Sequence, residues 1–345
     1  MTYRVGIVGS GFGGKVHAPA YALHPDFEPV AIASPNNAQT IADERKIPRA
    51  FTSLEAMLAA MGSEIDVISI SSPPFQHHAA VMTAIAAGKH VLCEKPLGIR
   101  LADAEAMTAA AAKAGVANAV AFEYRYNPAL QALKELILNG HLPSVREIEV
   151  TRFGNEMRNE VKRPPSSWWY DKSKGGGVAN AFMPHIVDLA LWLGGAGPQT
   201  SCGFSRTANP VRTAPDGSTF ASDVSDGCFA VADLGSGIAA RMVVDATVSL
   251  NQATVAVHSE RRTAVASGPS MTDFTLYVVD GDESSEYELA PLKYGTYSTV
   301  FGSLPHFMAL LDDFSERIAT GGGVCPTFAD GLAAQRVLSA LGYEV

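Results

Sequence analysis

The residues with the clearest chemistry stand at three places. The first is Gly9-Ser10-Gly11-Phe12-Gly13-Gly14, a G-x-G-x-x-G run entered directly from the apolar stretch Tyr3-Arg4-Val5-Gly6-Ile7-Val8. The first glycine permits a tight turn out of a strand, the second lets backbone approach a pyrophosphate, and the third lets helix and strand pack closely. A helix starting there turns its unsatisfied N–H groups and the positive end of its dipole toward phosphate. The pattern predicts a dinucleotide site at Gly9, Gly11, Phe12, Gly13 and Gly14.

The second place is His90-Val91-Leu92-Cys93-Glu94-Lys95-Pro96, an apolar strand ending in a charged pair and stopped by proline. Ligands of open α/β sheets sit outside the carboxyl ends of the strands, so Lys95 is expected to project toward the cofactor. Lysine there is a flexible cation that can relay a proton beside a hydroxyl. The plainer alternative is a surface lysine that ends a strand. The third place is Gly175-Gly176-Gly177 followed by a helix carrying His185 and Asp188 one turn apart. Histidine titrates near neutrality, which suits the proton that accompanies a hydride transfer. The plainer readings are a structural histidine and a helix N-terminal charge.

These residues need elements to hold them. Up to about residue 120, strands and helices alternate: strands at 3–8, 29–34, 65–70, 90–94 and 116–122, and helices at 38–46, 54–61, 77–88 and 101–114. Gly88 and Gly115 act as C-caps. Repeated βα units imply a doubly wound parallel sheet. From about 145 the texture becomes strand after strand: 145–153, 227–234, 238–250, 254–257, 263–267, 274–279 and 285–289. Helices are expected at 127–139, 182–193, 304–319 and 328–341. This reads as an α+β domain with a large open antiparallel sheet, whose uncovered face suggests a homodimer or homotetramer. The polar segment 208–225 reads as a surface loop. The expected domains are 1–122 and 123–345.

Bulk properties narrow the partners. The 345 residues carry a net charge of −9, and the only basic run is Arg261-Arg262 after Glu260, which argues against nucleic acid. The four cysteines form no C-x-x-C, so neither a zinc site nor a disulfide framework is expected. His77 and His78 are adjacent and face apart on a helix, and no metal is expected. A core strand begins by residue 3, leaving no room for a signal peptide, and no apolar run approaches the roughly 20 residues of a membrane helix. A cytoplasmic protein with no membrane association is expected.

Taken in order, these motifs resemble the glucose–fructose oxidoreductase / inositol dehydrogenase / rhizopine-catabolism family of NAD(P)-dependent oxidoreductases. The resemblance rests on Gly9-x-Gly11-x-x-Gly14, Pro73 with His77, Gly88-Lys89-His90 leading to Glu94-Lys95-Pro96, and Arg125 with Pro128. Gly175-Gly176-Gly177 with His185 and Asp188, and Thr327-Phe328-Ala329-Asp330-Gly331-Leu332, complete it. It implies a Rossmann domain followed by an α+β domain, and oxidation or reduction of a ring hydroxyl or carbonyl of a sugar, cyclitol or related polyol. It implies that Lys95 orients the reacting hydroxyl and His185 takes its proton. Ser72, Pro73, His77, Glu94, Pro96 and Arg125 are then cofactor contacts, and Tyr124 lies near nicotinamide and substrate. Trp168, Trp169 and Tyr170 form either a sugar-stacking wall or part of the core.

Two positions depart from the family pattern. An aspartate usual four residues before the histidine is Ala181 here, after Asn180. Asn180 can supply a hydrogen bond but no charge, and Asp188 or Glu123 are the other possible carboxylates. The departure leaves two further readings open: a non-catalytic nucleotide- or sugar-sensing protein, and a reductase of a non-sugar substrate. The second strand ends in Ser34-Pro35-Asn36 instead of the acid that favours NAD. Ser34 and Asn36 can donate to a 2′-phosphate, which tilts NAD(P) toward NADP.

Overall fold

The computed structural model describes residues 2–342. The chain forms two units, Met1–Glu123 with Lys293–Leu332 and Tyr124–Leu292 with Ala333–Val345. Segment 293–332, assigned by the sequence reading to a domain of 123–345, therefore belongs with the first unit.

The first unit is built on β1 (Tyr3–Val8), β2 (Phe27–Ala33), β3 (Arg49–Phe51), β4 (Val67–Ile70), β5 (His90–Cys93) and β6 (Asn118–Val120). They form one parallel sheet in the order β3-β2-β1-β4-β5-β6. Val5, Ile7, Ile32, Val67, Ile68, Ile70, Val91 and Leu92 are fully buried, as expected where crossover helices cover both faces of a sheet. The helices are α1 (Ala18–Leu23), α2 (Ala38–Arg45), α3 (Leu54–Met61), α4 (His77–Ala86) and α5 (Leu101–Ala114). Later, α9 (Leu304–Thr320) returns to this unit. Its Phe314 stacks parallel to Phe27 with centroids 6.2 Å apart, and its Phe307 lies 4.4 Å from the ring of His17. Burial of these aromatic faces is what ties so late a segment to the first strands.

Strand order reverses between β1 and β4, and there the loops after both strands meet backbone to backbone. Gly9 has φ +107°, and a Cβ on it would lie 2.7 Å from the carbonyl of Ser71 and the N of Ser72. The chain then turns through a five-residue π-helix, Gly13–His17, before α1. A Cβ on Gly13 would lie 3.1 Å from Ile7 of β1, whereas one on Gly14 would meet Ile41 of α2. Close helix–strand packing is therefore the work of Gly13, a correction to the role expected of Gly14.

The second unit holds β7 (Val145–Phe153), β8 (Thr200–Arg206), β9 (Val211–Thr213), β10 (Thr219–Ala221) and β11 (Gly227–Asp233). It continues with β12 (Ala239–Asp245), β13 (Gln252–Ser259), β14 (Arg262–Ser270), β15 (Asp273–Asp280) and β16 (Glu283–Glu286). Eight of these make a sheet in the order β16-β15-β14-β13-β7-β12-β11-β8. Its pairs are antiparallel except β7–β12, which is parallel. Helices α6 (Pro128–Leu138) and α8 (Met183–Gly194) pack on this sheet.

Two local expectations change here. Segment 208–225 contains the hairpin β9–β10, and its Arg212 is fully buried. Arg212 donates to the carbonyl of Met157 at 2.5 Å and pairs with the equally buried Asp226 at 3.4 Å. A charge is buried only with a partner, and this one arrives from 14 residues away. The helix expected over 182–193 is preceded by a separate short helix, α7 (Val178–Ala181). Phe182, at φ −124°, breaks the path, and Pro184 sits in the first turn of α8, where no intrahelical N–H is needed. The last helix is α10 (Phe328–Ser339).

Candidate active site

In the first unit, the residues expected at the cofactor gather at the carboxyl ends of β1, β2, β4 and β5. Gly11 is exposed, with no atom within 4 Å of where its Cβ would stand, so backbone there is open to close approach. Phe12 is half-buried beside Phe301, ring edge to ring face, at 5.8 Å. Ser72 Oγ is buried and has no hydrogen-bond partner among the described residues. A buried hydroxyl without a partner is costly, and a ligand atom arriving there removes the cost. The glycine cradle and this hydroxyl fit a dinucleotide. Ser34 donates to Ser10 Oγ at 3.0 Å, while Asn36 is exposed.

His77, fully buried, sits between the carbonyls of Ser72 and Pro96, each 2.8 Å from one ring nitrogen. It ties the loop after β4 to the loop after β5. Burial pushes its pKa down. Glu94 is 7% exposed. Its Oε1 lies 3.1 Å from His17 Nε2, and its Oε2 accepts the backbone N–H of Lys95 at 3.2 Å. Burial alone would raise this carboxyl, but the His17 hydrogen bond and the charge of Lys95 outweigh it and hold it below the usual carboxylate range. Lys95 itself is half-buried and precedes a cis peptide to Pro96.

In the second unit, His185 is 4% exposed and its ring lies on Tyr124, with centroids 4.3 Å apart. One turn further along α8, Asp188 receives Arg125 Nε at 2.9 Å and Nη2 at 2.5 Å. The guanidinium also stands 5.8 Å from the Trp192 ring. Asp188 is thus more than a helix N-terminal charge, and its carboxylate is committed to Arg125 instead of standing in for the acid missing at Ala181. Asn180 is 4% exposed, and its Nδ2 has no partner among the described residues.

The glycine run and the tryptophans turn out to be one construction. A Cβ on Gly176 would lie 2.6 Å from the carbonyl oxygen of Trp168 and 2.7 Å from that of Trp169. Gly177, at φ +86°, donates its N–H to Trp169. Tyr170 is buried, so it belongs to the core, while Trp168 and Trp169 are half-buried. The N–H groups of Val178 and Ala179 are held by Ser225, its carbonyl and its hydroxyl respectively, which joins the start of α7 to the end of the 208–226 segment. The sequence reading missed His17, Ser69 and Asp226. The one local hint was His17, one helical turn after Gly13.

A parallel sheet with a glycine-lined switch point makes the first unit a Rossmann-type nucleotide-binding unit, carried in one chain with an α+β unit. The chain belongs to the GFO/IDH/MocA family. Residues 3–122 match the oxidoreductase family model with an NAD-binding Rossmann fold, and residues 130–265 match the GFO/IDH/MocA C-terminal domain. An uncharacterized oxidoreductase of Synechocystis sp. is 33% identical over 205 residues, covering 58% of this chain and 54% of that protein. D-glucoside 3-dehydrogenase of Escherichia coli is 31% identical over 237 residues, covering 63% and 65%. The chain thus spans about half to two-thirds of the length of these curated relatives. A solved levoglucosan dehydrogenase in complex with NADH and levoglucosan shares the fold, with TM-score 0.84, 23% identity, and coverage of 99% of this chain and 96% of that one. Among the described residues no helix is long and apolar enough to cross a membrane.

Proposed function

We infer that this chain is an oxidoreductase that transfers a hydride between a nicotinamide dinucleotide and a ring hydroxyl or carbonyl of a sugar, cyclitol or related polyol. The observation that carries this reading is Lys95, held at the end of β5 directly after a buried, hydrogen-bonded carboxylate. The named activities of the matched relatives support the substrate class. When bound, the nicotinamide supplies the hydride chemistry. Lys95 donates to the reacting oxygen and orients it. His185 takes the hydroxyl proton in the oxidation direction, and its tilted contact with the Tyr124 ring limits its rotation. Asn180 offers a neutral amide donor where the family pattern has a carboxylate. Trp168 provides an apolar face for a sugar ring. Ser34 and Asn36 tilt the cofactor preference toward NADP(H).

The test is to supply NAD⁺ or NADP⁺ with a panel of sugars and cyclitols and follow reduced nicotinamide by absorbance. Turnover with one substrate class is expected. A second reading, a nucleotide- or sugar-sensing protein without turnover, is favoured by Ala181 alone. Tight cofactor binding by calorimetry with silence across the panel would point to such a sensor or to a reductase of a non-sugar substrate.

A homodimer or homotetramer through the open sheet is part of the same reading. Phe204, Val231 and Tyr277 are 58%, 49% and 38% exposed, and strand register puts them on one face. A monomer by light scattering would refute it.

A further inference from the structure

We propose that His17 is a positioning residue for Lys95, acting by holding Glu94 as a buried anion at the root of that lysine. The inference rests on the reading of Lys95 given above. Its geometry lies wholly within the first unit.

Four side chains form one directed line. Tyr21 donates to Ser69 Oγ at 3.1 Å, Ser69 Oγ lies 2.7 Å from His17 Nδ1, and His17 Nε2 lies 3.1 Å from Glu94 Oε1. Once Tyr21 donates to Ser69, the serine hydroxyl is left to donate to Nδ1. The Nε2 proton then points at the carboxylate. Tyr21, Ser69 and His17 are fully buried, and Phe307 at 4.4 Å packs against the ring of His17. The line ends where Glu94 Oε2 accepts the N–H of Lys95. The carboxylate is thereby fastened to the peptide unit from which the lysine side chain departs.

Five titratable groups face Glu94: His17, His77, Lys95, Cys93 and Tyr21. Burial pushes the Cys93 thiol and the Tyr21 phenol up and the His77 imidazole down. What holds the carboxylate charged is first the His17 hydrogen bond and the charge of Lys95, with smaller electrostatic contributions from the His17 and His77 rings. Without the His17 donor, burial favours the protonated acid. A protonated acid accepts the Lys95 N–H more weakly and no longer offsets the charge of its ammonium.

The test uses the full chain with ¹³C-carboxyl-labelled glutamate. The Glu94 resonance is identified by its loss in Glu94→Gln and then titrated in the parent, His17→Phe and His17→Gln. Phenylalanine fills the ring space without a donor, while glutamine restores an N–H. Glu94 is expected to titrate at higher pH in His17→Phe and to return toward the parent in His17→Gln. In turnover, the acid limb of kcat is expected to move up by about one pH unit in His17→Phe, with cofactor Kd changed less than about threefold. A merely structural role lowers the folded fraction without moving that limb. An unchanged Glu94 titration in His17→Phe overturns the proposal. A shifted titration with an unmoved kcat profile overturns the positioning role. Undiminished turnover in Lys95→Met overturns the reading of Lys95, separately from the pair.

Discussion

Arg125 donates to both carboxylate oxygens of Asp188, and the two side chains are 6% and 2% exposed. The pair joins the turn that carries Tyr124 to the helix that carries His185, two residues whose rings are in tilted contact. It is a strut beneath the candidate proton acceptor. Removing one partner leaves the other charge buried without its counter-ion. Asp188→Ala is therefore expected to cost about 3–5 kcal/mol of stability, read by urea unfolding. The double variant Arg125→Met, Asp188→Leu is expected to lose clearly less than the sum of the singles. Additive losses would mean that the pair is not coupled.

Lys95 lies at the carboxyl end of β5, where ligands of such sheets bind. Lys95→Met is expected to lower kcat by roughly 10²- to 10⁴-fold and to leave cofactor binding by calorimetry nearly unchanged. Replacing a half-buried cation by an apolar chain of similar length leaves the surrounding backbone contacts in place. Full activity in this variant would remove Lys95 from the chemistry.

Ser34 directly follows β2 and donates a hydrogen bond to Ser10 in the glycine-rich loop. An aspartate at this position accepts from a ribose 2′-hydroxyl and repels a 2′-phosphate. Ser34→Asp is expected to shift the NADP⁺ to NAD⁺ affinity ratio at least about tenfold toward NAD⁺, equivalent to about 1.4 kcal/mol. Fluorescence titration with both cofactors measures it. An unchanged ratio would place the discriminating contact elsewhere.

His306, in the first turn of α9, is 1% exposed, and burial lowers its pKa to about 4. The unfolded chain therefore binds this proton more readily than the folded one. Stability from this residue is complete above the ordinary value near 6.5 and is lost as pH falls toward 4. The full effect is about 3 kcal/mol. Urea midpoints measured from pH 7 to 4 should decline, and His306→Phe should flatten the decline. An equal slope in the variant would assign the acid sensitivity to other groups.

What could be read from the chain follows the range of the signals. The strands of the first unit are short apolar runs bounded by Gly, Pro and Ser, and Gly9, Lys95 and His185 stand at element ends that periodicity alone locates. Four strands escaped: β3, β8, β9 and β10. β3 has only three residues, and β8 is an edge strand with most of its side chains exposed, so neither shows an alternating apolar pattern. The β9–β10 hairpin was hidden by polar composition, because Arg212 looks like a surface residue until Asp226 is beside it.

The candidate site divides in the same way. Residue types and spacing by themselves determined the doubly wound first unit and the glycine turn, and they marked Lys95 and His185 as candidates whose roles only the family resemblance supplied. These depend on local periods of 2 and 3.6 residues and on the backbone freedom of glycine. Tertiary structure alone decided that Asp188 serves Arg125 across 63 residues and that His17 reaches Glu94 across 77. It also decided that Gly13, not Gly14, lies against the strand and that residues 293–332 return to the first unit. Each of these depends on which buried charge or ring must find a partner, and that is settled only when distant segments are desolvated together.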